Sequence, residues 1–93
     1  MYREVKASER LPDKKMDYFV IDKDKDIYTD TWCGKKWLDD GQFTNNPLIE
    51  FWLEPINVSE EEVADTLMAD AIKHGYHWRP TAAKAIMNLL KDK

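Results

Sequence analysis

Hydrophobic and polar positions follow two different patterns along this chain, and the change comes near Asn57. Before it, apolar residues stand in short runs rich in aromatic and β-branched side chains, which is typical of strands. After it, they recur every three or four residues, as in amphipathic helices. The pattern predicts one α+β domain over residues 1–93, with a β-rich part at 1–56 and a two-helix part at 57–93.

The first part predicts a small antiparallel β-meander of three or four strands. The predicted strands cover residues 18–21, 27–32, 36–38 and 48–53, and a loop covers residues 39–47. Gly34 suits a turn before the third strand because glycine tolerates a positive φ. Pro55 ends the fourth strand because proline cannot donate a hydrogen bond to the sheet.

The second part predicts two amphipathic helices on one face of that sheet. Ser59 and Glu62 have the spacing of a capping box, and Gly75 suits the end of the first helix. Pro80 suits the start of the second helix. The predicted apolar faces consist of Val63, Ala64, Leu67, Met68, Ala71 and Ile72 in the first helix, and Ala82, Ala83, Ile86, Leu89 and Leu90 in the second.

Length and charge narrow the functional classes. A chain of 93 residues has room for one hydrophobic core. Its formal net charge of −4 argues against nucleic acid as a partner. Cys33 is the only cysteine, the first residues contain no apolar run, and no stretch is long and apolar enough to span a membrane. We therefore expect a cytoplasmic protein with no membrane partner.

Four aspartates resemble part of a calcium-binding loop. Asp22, Asp24, Asp26 and Asp30 stand at positions one, three, five and nine of such a loop. Positions six and twelve hold Ile27 and Cys33, where a calcium loop needs glycine and glutamate. The segment is therefore interpreted as a hairpin turn between two strands.

Cys33, His74 and His77 are the candidate residues for metal or nucleophilic chemistry. Together they would supply three zinc ligands, or a cysteine nucleophile with a histidine base. A structural zinc site needs a fourth ligand, and Cys33 follows a strand instead of opening a helix, where a thiolate is stabilised. We predict no cofactor, no metal and no catalytic residue, and hence not an enzyme.

The aromatic content of 12% gives a candidate binding surface. Strand alternation places some rings on the sheet face away from the helices, and tryptophan and tyrosine dominate interface hot spots. The candidate partner-binding patch consists of Tyr28, Trp32, Trp37 and Trp52. The alternative, which we favour because aromatic residues chiefly build the core of small domains, is that these rings pack under loops or beneath the helices. A second alternative is nucleic-acid binding, in which exposed rings stack bases beside Lys35, Lys36, Arg79, Lys84 and Lys91.

Three short motifs resemble a known family. They are "ASERLP" at residues 7–12, "GKKW" at 34–37 and "FWLEP" at 51–55. The run over about residues 5–56 resembles domain of unknown function 551, a short domain of phage, prophage and bacterial proteins. The resemblance implies a compact β-rich module and a phage or mobile-element context, and it supplies no catalytic residue or cofactor.

These observations together predict a non-enzymatic protein-interaction module of the phage or mobile-element accessory type. Its protein partner is not identified by the sequence. The apolar helix faces also allow self-association into a homo-oligomer. The alternatives are a nucleic-acid-binding module and a protein with a Cys/His metal or catalytic site.

Overall fold

The computed structural model of the chain describes residues 2–38 and 49–91. These residues form a five-stranded sheet and two helices, which confirms the α+β class. The elements in chain order are β1 (Tyr2–Lys6), β2 (Asp17–Asp22), β3 (Asp26–Thr31), β4 (Ile49–Pro55), α1 (Glu60–His74), β5 (His77–Trp78) and α2 (Pro80–Lys91). The loop predicted at residues 39–47 and the first residue of the strand predicted at 48–53 lie outside the described residues.

The sheet is not a meander, so that part of the prediction is wrong. The strand order is β1-β4-β2-β3-β5, in which β3 and β5 are parallel and the other neighbours are antiparallel. β4 lies between β1 and β2, where Trp52 is opposite Val5 on one side and Val20 on the other. A strand with apolar residues on both faces is suited to this interior position, since both of its faces are buried in the domain.

The sequence pattern missed β1 and β5 and overestimated a third strand. In β1, Val5 is the buried residue among charged neighbours, as expected for a short strand at a sheet edge. β5 has two residues and forms only because His77 and Trp78 pair with the start of β3. The strand predicted at residues 36–38 is reduced to a single bridge between Trp32 and Trp37.

The strand register assigns the side chains to two faces, because residues opposite one another in a sheet point to the same side. One face, called the helix face, carries Phe19, Ile21, Ile27, Phe51 and Leu53. The other, called the loop face, carries Val5, Tyr18, Val20, Tyr28 and Trp52. Phe19 and Leu53 line a cleft together with Val63 of α1 and Leu89 of α2, so both helices lie against the helix face.

The helix ends follow the sequence signals. The Ser59 hydroxyl oxygen accepts a hydrogen bond from the Glu62 N–H at 3.3 Å and caps α1. Gly75 ends α1 in the left-handed region, with φ of 71°, and its N–H donates to the carbonyl of Ala71. α2 begins at Pro80, as predicted. Helix caps can be predicted from the sequence because the two residues that form each cap lie about one helical turn apart.

The predicted apolar face of α1 is partly wrong. Val63 and Leu67 are buried, whereas Ile72 is 87% exposed and Met68 is 42% exposed. Ile72 is nine residues beyond Val63, which is about two and a half helical turns and places it on the opposite side of the helix. A stripe broad enough to include both residues cannot face one sheet.

Two tyrosines tether the edge strand β1 to the helical part of the domain. The Tyr2 hydroxyl donates to the Asp70 carboxylate, and the Tyr76 hydroxyl donates to Oε1 of Glu4 at 2.8 Å. Burial and the Glu4 carboxylate raise the pKa of Tyr76 to about 12. The hydroxyl of Tyr76 therefore stays protonated and able to donate this hydrogen bond at neutral pH.

Candidate functional site

The four rings of the predicted aromatic patch are buried. The exposed fractions of Tyr28, Trp32, Trp37 and Trp52 are 2%, 4%, 3% and 1%. The Trp37 ring lies 5.1 Å from Trp32 and 6.0 Å from Tyr18 between ring centroids. The prediction of an exposed patch is therefore wrong, and the core alternative describes these rings. The prediction of an exposed patch assumed a two-layer domain. In the structure, chain segments outside the regular strands cover the loop face as a third layer.

The contact between Arg10 and Trp52 shows how the loop face is closed. The Trp52 Nε1–H donates to the carbonyl of Arg10 at 2.8 Å, and the Arg10 guanidinium lies 5.1 Å above the Trp52 ring. The same guanidinium donates to both Glu54 oxygens, at 2.9 and 2.7 Å, and lowers the pKa of that carboxyl. Arg10 and Trp52 belong to two of the motifs that resemble the family, so a structural contact accounts for both motifs.

The aspartate-rich segment is the β2–β3 hairpin turn, which confirms that interpretation. Asp22 is 1% exposed, and its Oδ1 accepts the backbone N–H groups of Asp24 and Asp26 at 2.8 and 3.0 Å. Its Oδ2 accepts Nη2 of Arg79 at 2.9 Å, and Arg79 also donates to Oδ2 of Asp26. The aspartates therefore fix the turn and bind an arginine that the sequence pattern did not connect to them.

The Cys/His candidates are not brought together. His77 pairs with Asp26, the first residue of β3, whereas Cys33 follows Thr31, the last residue of that strand. Six residues of strand separate these ends, which is roughly 20 Å. Within residues 2–38 and 49–91, no group of three or more His, Cys, Asp or Glu side chains is arranged to hold a metal ion.

Cys33 has a local environment of its own. The backbone N–H groups of Lys35 and Lys36 lower the pKa of the Cys33 thiol, and the Lys36 charge adds to the effect. His77 lies about the length of β3 from Cys33 and cannot act as the base of its thiol. A Cys33–His77 pair is therefore excluded.

The cations of the nucleic-acid alternative lie on separate elements. Lys35 and Lys36 follow β3, while Lys84 and Lys91 lie on α2. Arg79 is engaged by two aspartates, and its guanidinium lies 4.6 Å above the buried ring of Tyr28. The four candidate rings offer no exposed stacking platform for bases, because all four are buried.

A cleft lies between the helices and the sheet. Its volume is about 250 Å³, and we call it the helix–sheet cleft. The start of α1 and the second half of α2 border it together, so the two helices run in opposite directions across the sheet. Its apolar lining consists of Met16, Phe19, Leu53, Pro55, Val63, Ala85 and Leu89.

The small side chain of Ala85 on α2 leaves space in the cleft. Ala85 lines the cleft on α2, opposite Phe19 of β2 and Leu53 of β4. Both sheet residues are well buried, yet Ala85 keeps part of its surface exposed. A larger residue at position 85 would therefore occupy the cleft.

The polar residues of the cleft are Asp17, Tyr18, Thr29, Glu60 and Asn88. Thr31 donates its hydroxyl to Oδ1 of Asp17, which holds that carboxylate at the start of β2. Among the described residues, the lining contains no cysteine, histidine, lysine or arginine. It is suited to binding an apolar group with polar flanks, and it offers no nucleophile with an adjacent base.

Sequence reasoning missed the helix–sheet cleft. Each lining residue reads as an ordinary core or helix position, and a cleft arises only from the distance between the helices. The run of alanines at positions 82, 83 and 85 of α2 was the one available signal, since small residues on an apolar helix face leave volume unfilled.

Comparisons of the chain with family models, with curated proteins and with solved structures found no match. Neither described helix is long and apolar enough to cross a membrane.

Proposed function

We propose that this protein is a non-enzymatic protein-interaction module of the phage or mobile-element accessory type. The helix–sheet cleft is the surface through which it acts, in place of the aromatic patch that the fold buries. The resemblance of residues 5–56 to domain of unknown function 551 supports the phage context. The cleft is the single observation that supports binding.

Two properties of the cleft favour binding over catalysis. Its floor is apolar and consists of Phe19 and Leu53, which are buried in the sheet, and of the half-buried Leu89. Its polar groups are carboxylates, an amide and hydroxyls, without a cysteine, histidine or lysine to activate them. A pocket with an apolar floor and few polar groups is the usual form of a binding site.

The first prediction uses a neutral apolar probe, N-acetyl-phenylalanine amide. We expect it to shift the backbone amide resonances of Phe19, Leu53 and Val63 in a ¹⁵N–¹H NMR titration, because its ring enters the cleft. Ala85→Phe fills the same space and is expected to weaken binding at least about tenfold, since one blocked apolar side chain is worth more than 1.4 kcal/mol.

Ala69→Phe is the matched control. Residue 69 is also an alanine of a helix, but it is exposed and does not line the cleft. Thermal unfolding of both variants shows that each is folded. Equal affinity of the wild-type protein and the Ala85→Phe variant, or shifts confined to other surfaces, would overturn the proposal.

A further inference from the structure

The rim of the helix–sheet cleft carries one sign of charge. The charged residues that line it are Asp17, at the start of β2, and Glu60, the first residue of α1. Both are exposed. An apolar floor between two carboxylates is electrostatically complementary to an apolar group that carries positive charge on its flanks.

The charges next to the rim balance one another. A second cleft, of about 420 Å³, adjoins the first and shares Met16, Tyr18, Pro55 and Glu60 with it. Its further charged residues are Asp13, Glu54 and Lys14, and the Glu54 carboxylate is paired with Arg10. Among the described residues, Lys14 is the cation that lines the two clefts, and with Arg10 it balances Asp13 and Glu54, so the net negative charge comes from Asp17 and Glu60.

The shape of the site suits a side chain of a protein that has neighbouring residues on both sides. The helix–sheet cleft, of about 250 Å³, is smaller than pockets for drug-sized ligands, which are about 300–1,000 Å³, and the adjoining cleft of about 420 Å³ lengthens the surface. The helix–sheet cleft has room for one large apolar side chain. Because the second cleft continues from the first, a peptide chain can lie along both with its flanking residues beside the carboxylates.

We propose that the cleft binds a basic-flanked apolar anchor of a protein partner, a phenylalanine or leucine side chain with lysine or arginine next to it. This inference rests on the proposed function and adds the chemistry of the partner. Asp17 and Glu60 select the positive flanks, and Phe19, Leu53 and Leu89 bind the anchor.

The test compares three capped tripeptides by NMR titration. They are acetyl-Lys-Phe-Lys-amide, acetyl-Glu-Phe-Glu-amide and acetyl-Lys-Ala-Lys-amide. We expect the first to bind about five- to tenfold more tightly than the second, because two rim contacts change from attraction to repulsion. We expect the third to cause no saturable shift at Phe19 or Val63, because it lacks the apolar anchor.

Variants of α1 test the role of the rim charge. The preference is the logarithm of the ratio between the affinities for the lysine-flanked and the glutamate-flanked peptide. Glu60→Lys is expected to lower this logarithm by at least half. Glu62→Lys makes the same charge change in the same helical turn at a residue that does not line the cleft, and a smaller effect is expected.

The outcomes separate this inference from the proposed function. If both phenylalanine peptides bind the cleft equally, the charge selection is wrong and the interaction module stands. If neither shifts the amides of the cleft, both are wrong. If acetyl-Lys-Ala-Lys-amide binds as tightly as acetyl-Lys-Phe-Lys-amide, binding is a surface charge effect and the inference is overturned.

Discussion

Trp52 and Trp37 are chemically alike and almost equally buried, but their indole N–H groups differ. The N–H of Trp52 donates to the Arg10 carbonyl. The N–H of Trp37 is buried without a hydrogen-bond acceptor among the described residues. A buried donor without an acceptor costs about 1–3 kcal/mol of folding free energy, so the two side chains stabilise the domain to different extents.

This difference predicts the outcome of replacing each tryptophan by phenylalanine. Trp52→Phe loses a hydrogen bond and leaves a cavity, so we expect it to lower the free energy of unfolding by about 2–4 kcal/mol. Trp37→Phe leaves a similar cavity but removes an unsatisfied donor, so we expect about 0–1 kcal/mol. Urea unfolding followed by far-UV circular dichroism measures both. Equal losses would contradict this account of the Trp37 N–H.

At the scale of single residues, contacts between neighbours in the chain could be predicted from the sequence, whereas contacts between distant residues could not. Ser59 and Gly75 were identified correctly because a helix cap involves neighbours in the chain. For Trp52 the sequence left a surface patch and a core position as alternatives, because its cover comes from Arg10, which lies 42 positions earlier in the sequence. Composition identifies an aromatic residue as important without showing which surface covers it.

At the scale of elements, the contact between Arg79 and the β2–β3 hairpin joins the two parts of the chain. Arg79 precedes α2, and its backbone N–H donates to the Ile27 carbonyl at 2.9 Å. Its guanidinium donates to the buried Asp22 and to Asp26. Backbone and side-chain hydrogen bonds of Arg79 therefore hold the connection between α1 and α2 against the β2–β3 hairpin, next to the short strand β5.

We expect Arg79→Met to lower the free energy of unfolding by about 2–3 kcal/mol. The change leaves the Asp22 carboxylate buried without its cation, an effect reduced here because the Arg79 side chain is 40% exposed. Arg3→Met is the control, since Arg3 is 63% exposed and lies 4.0 Å from Glu54, and it should cost less than about 0.5 kcal/mol. Urea unfolding measures both variants.

A double-mutant cycle with Asp22→Asn distinguishes the ion pair from a general loss of side-chain contacts. The asparagine oxygen can still accept the N–H groups of the turn, while its NH₂ group replaces the oxygen that accepts from Arg79, so the change removes the ion pair and its hydrogen bond. In the Arg79→Met background we expect Asp22→Asn to cost at least about 1 kcal/mol less than in the wild-type protein. Additive losses would show that the pair contributes little.

The strand order shows the same limit of sequence reasoning for whole elements. The residues of β2, β3 and β4 were identified within a few positions, because alternation and β-branched side chains are properties of each segment. The position of β4 between β1 and β2 was not identified. Strand pairing depends on which edge of the β2–β3 hairpin is open to another strand, and this is not a property of any single segment. β1 was missed because a charged edge strand lacks an apolar pattern.

At the scale of the whole molecule, exposed apolar side chains raise the question of self-association. Ile72 and Met68 lie one helical turn apart on α1, and they are 87% and 42% exposed. Burying both side chains in both subunits contributes at most about 6–12 kcal/mol to a dimer, which does not exceed the full range of the association cost, about 4–15 kcal/mol. A stable interface usually buries about 1,200–2,000 Å², far more than this stripe supplies.

We therefore expect a monomer of 11.0 kDa by light scattering at micromolar concentration, with weak self-association only at millimolar concentration. Ile72→Gln should leave the micromolar mass unchanged and remove the concentration dependence. A mass about twice that of the chain at micromolar concentration would contradict the expectation and show a larger interface than α1 exposes. A monomer keeps the helix–sheet cleft open to solvent, which the proposed binding of a partner requires.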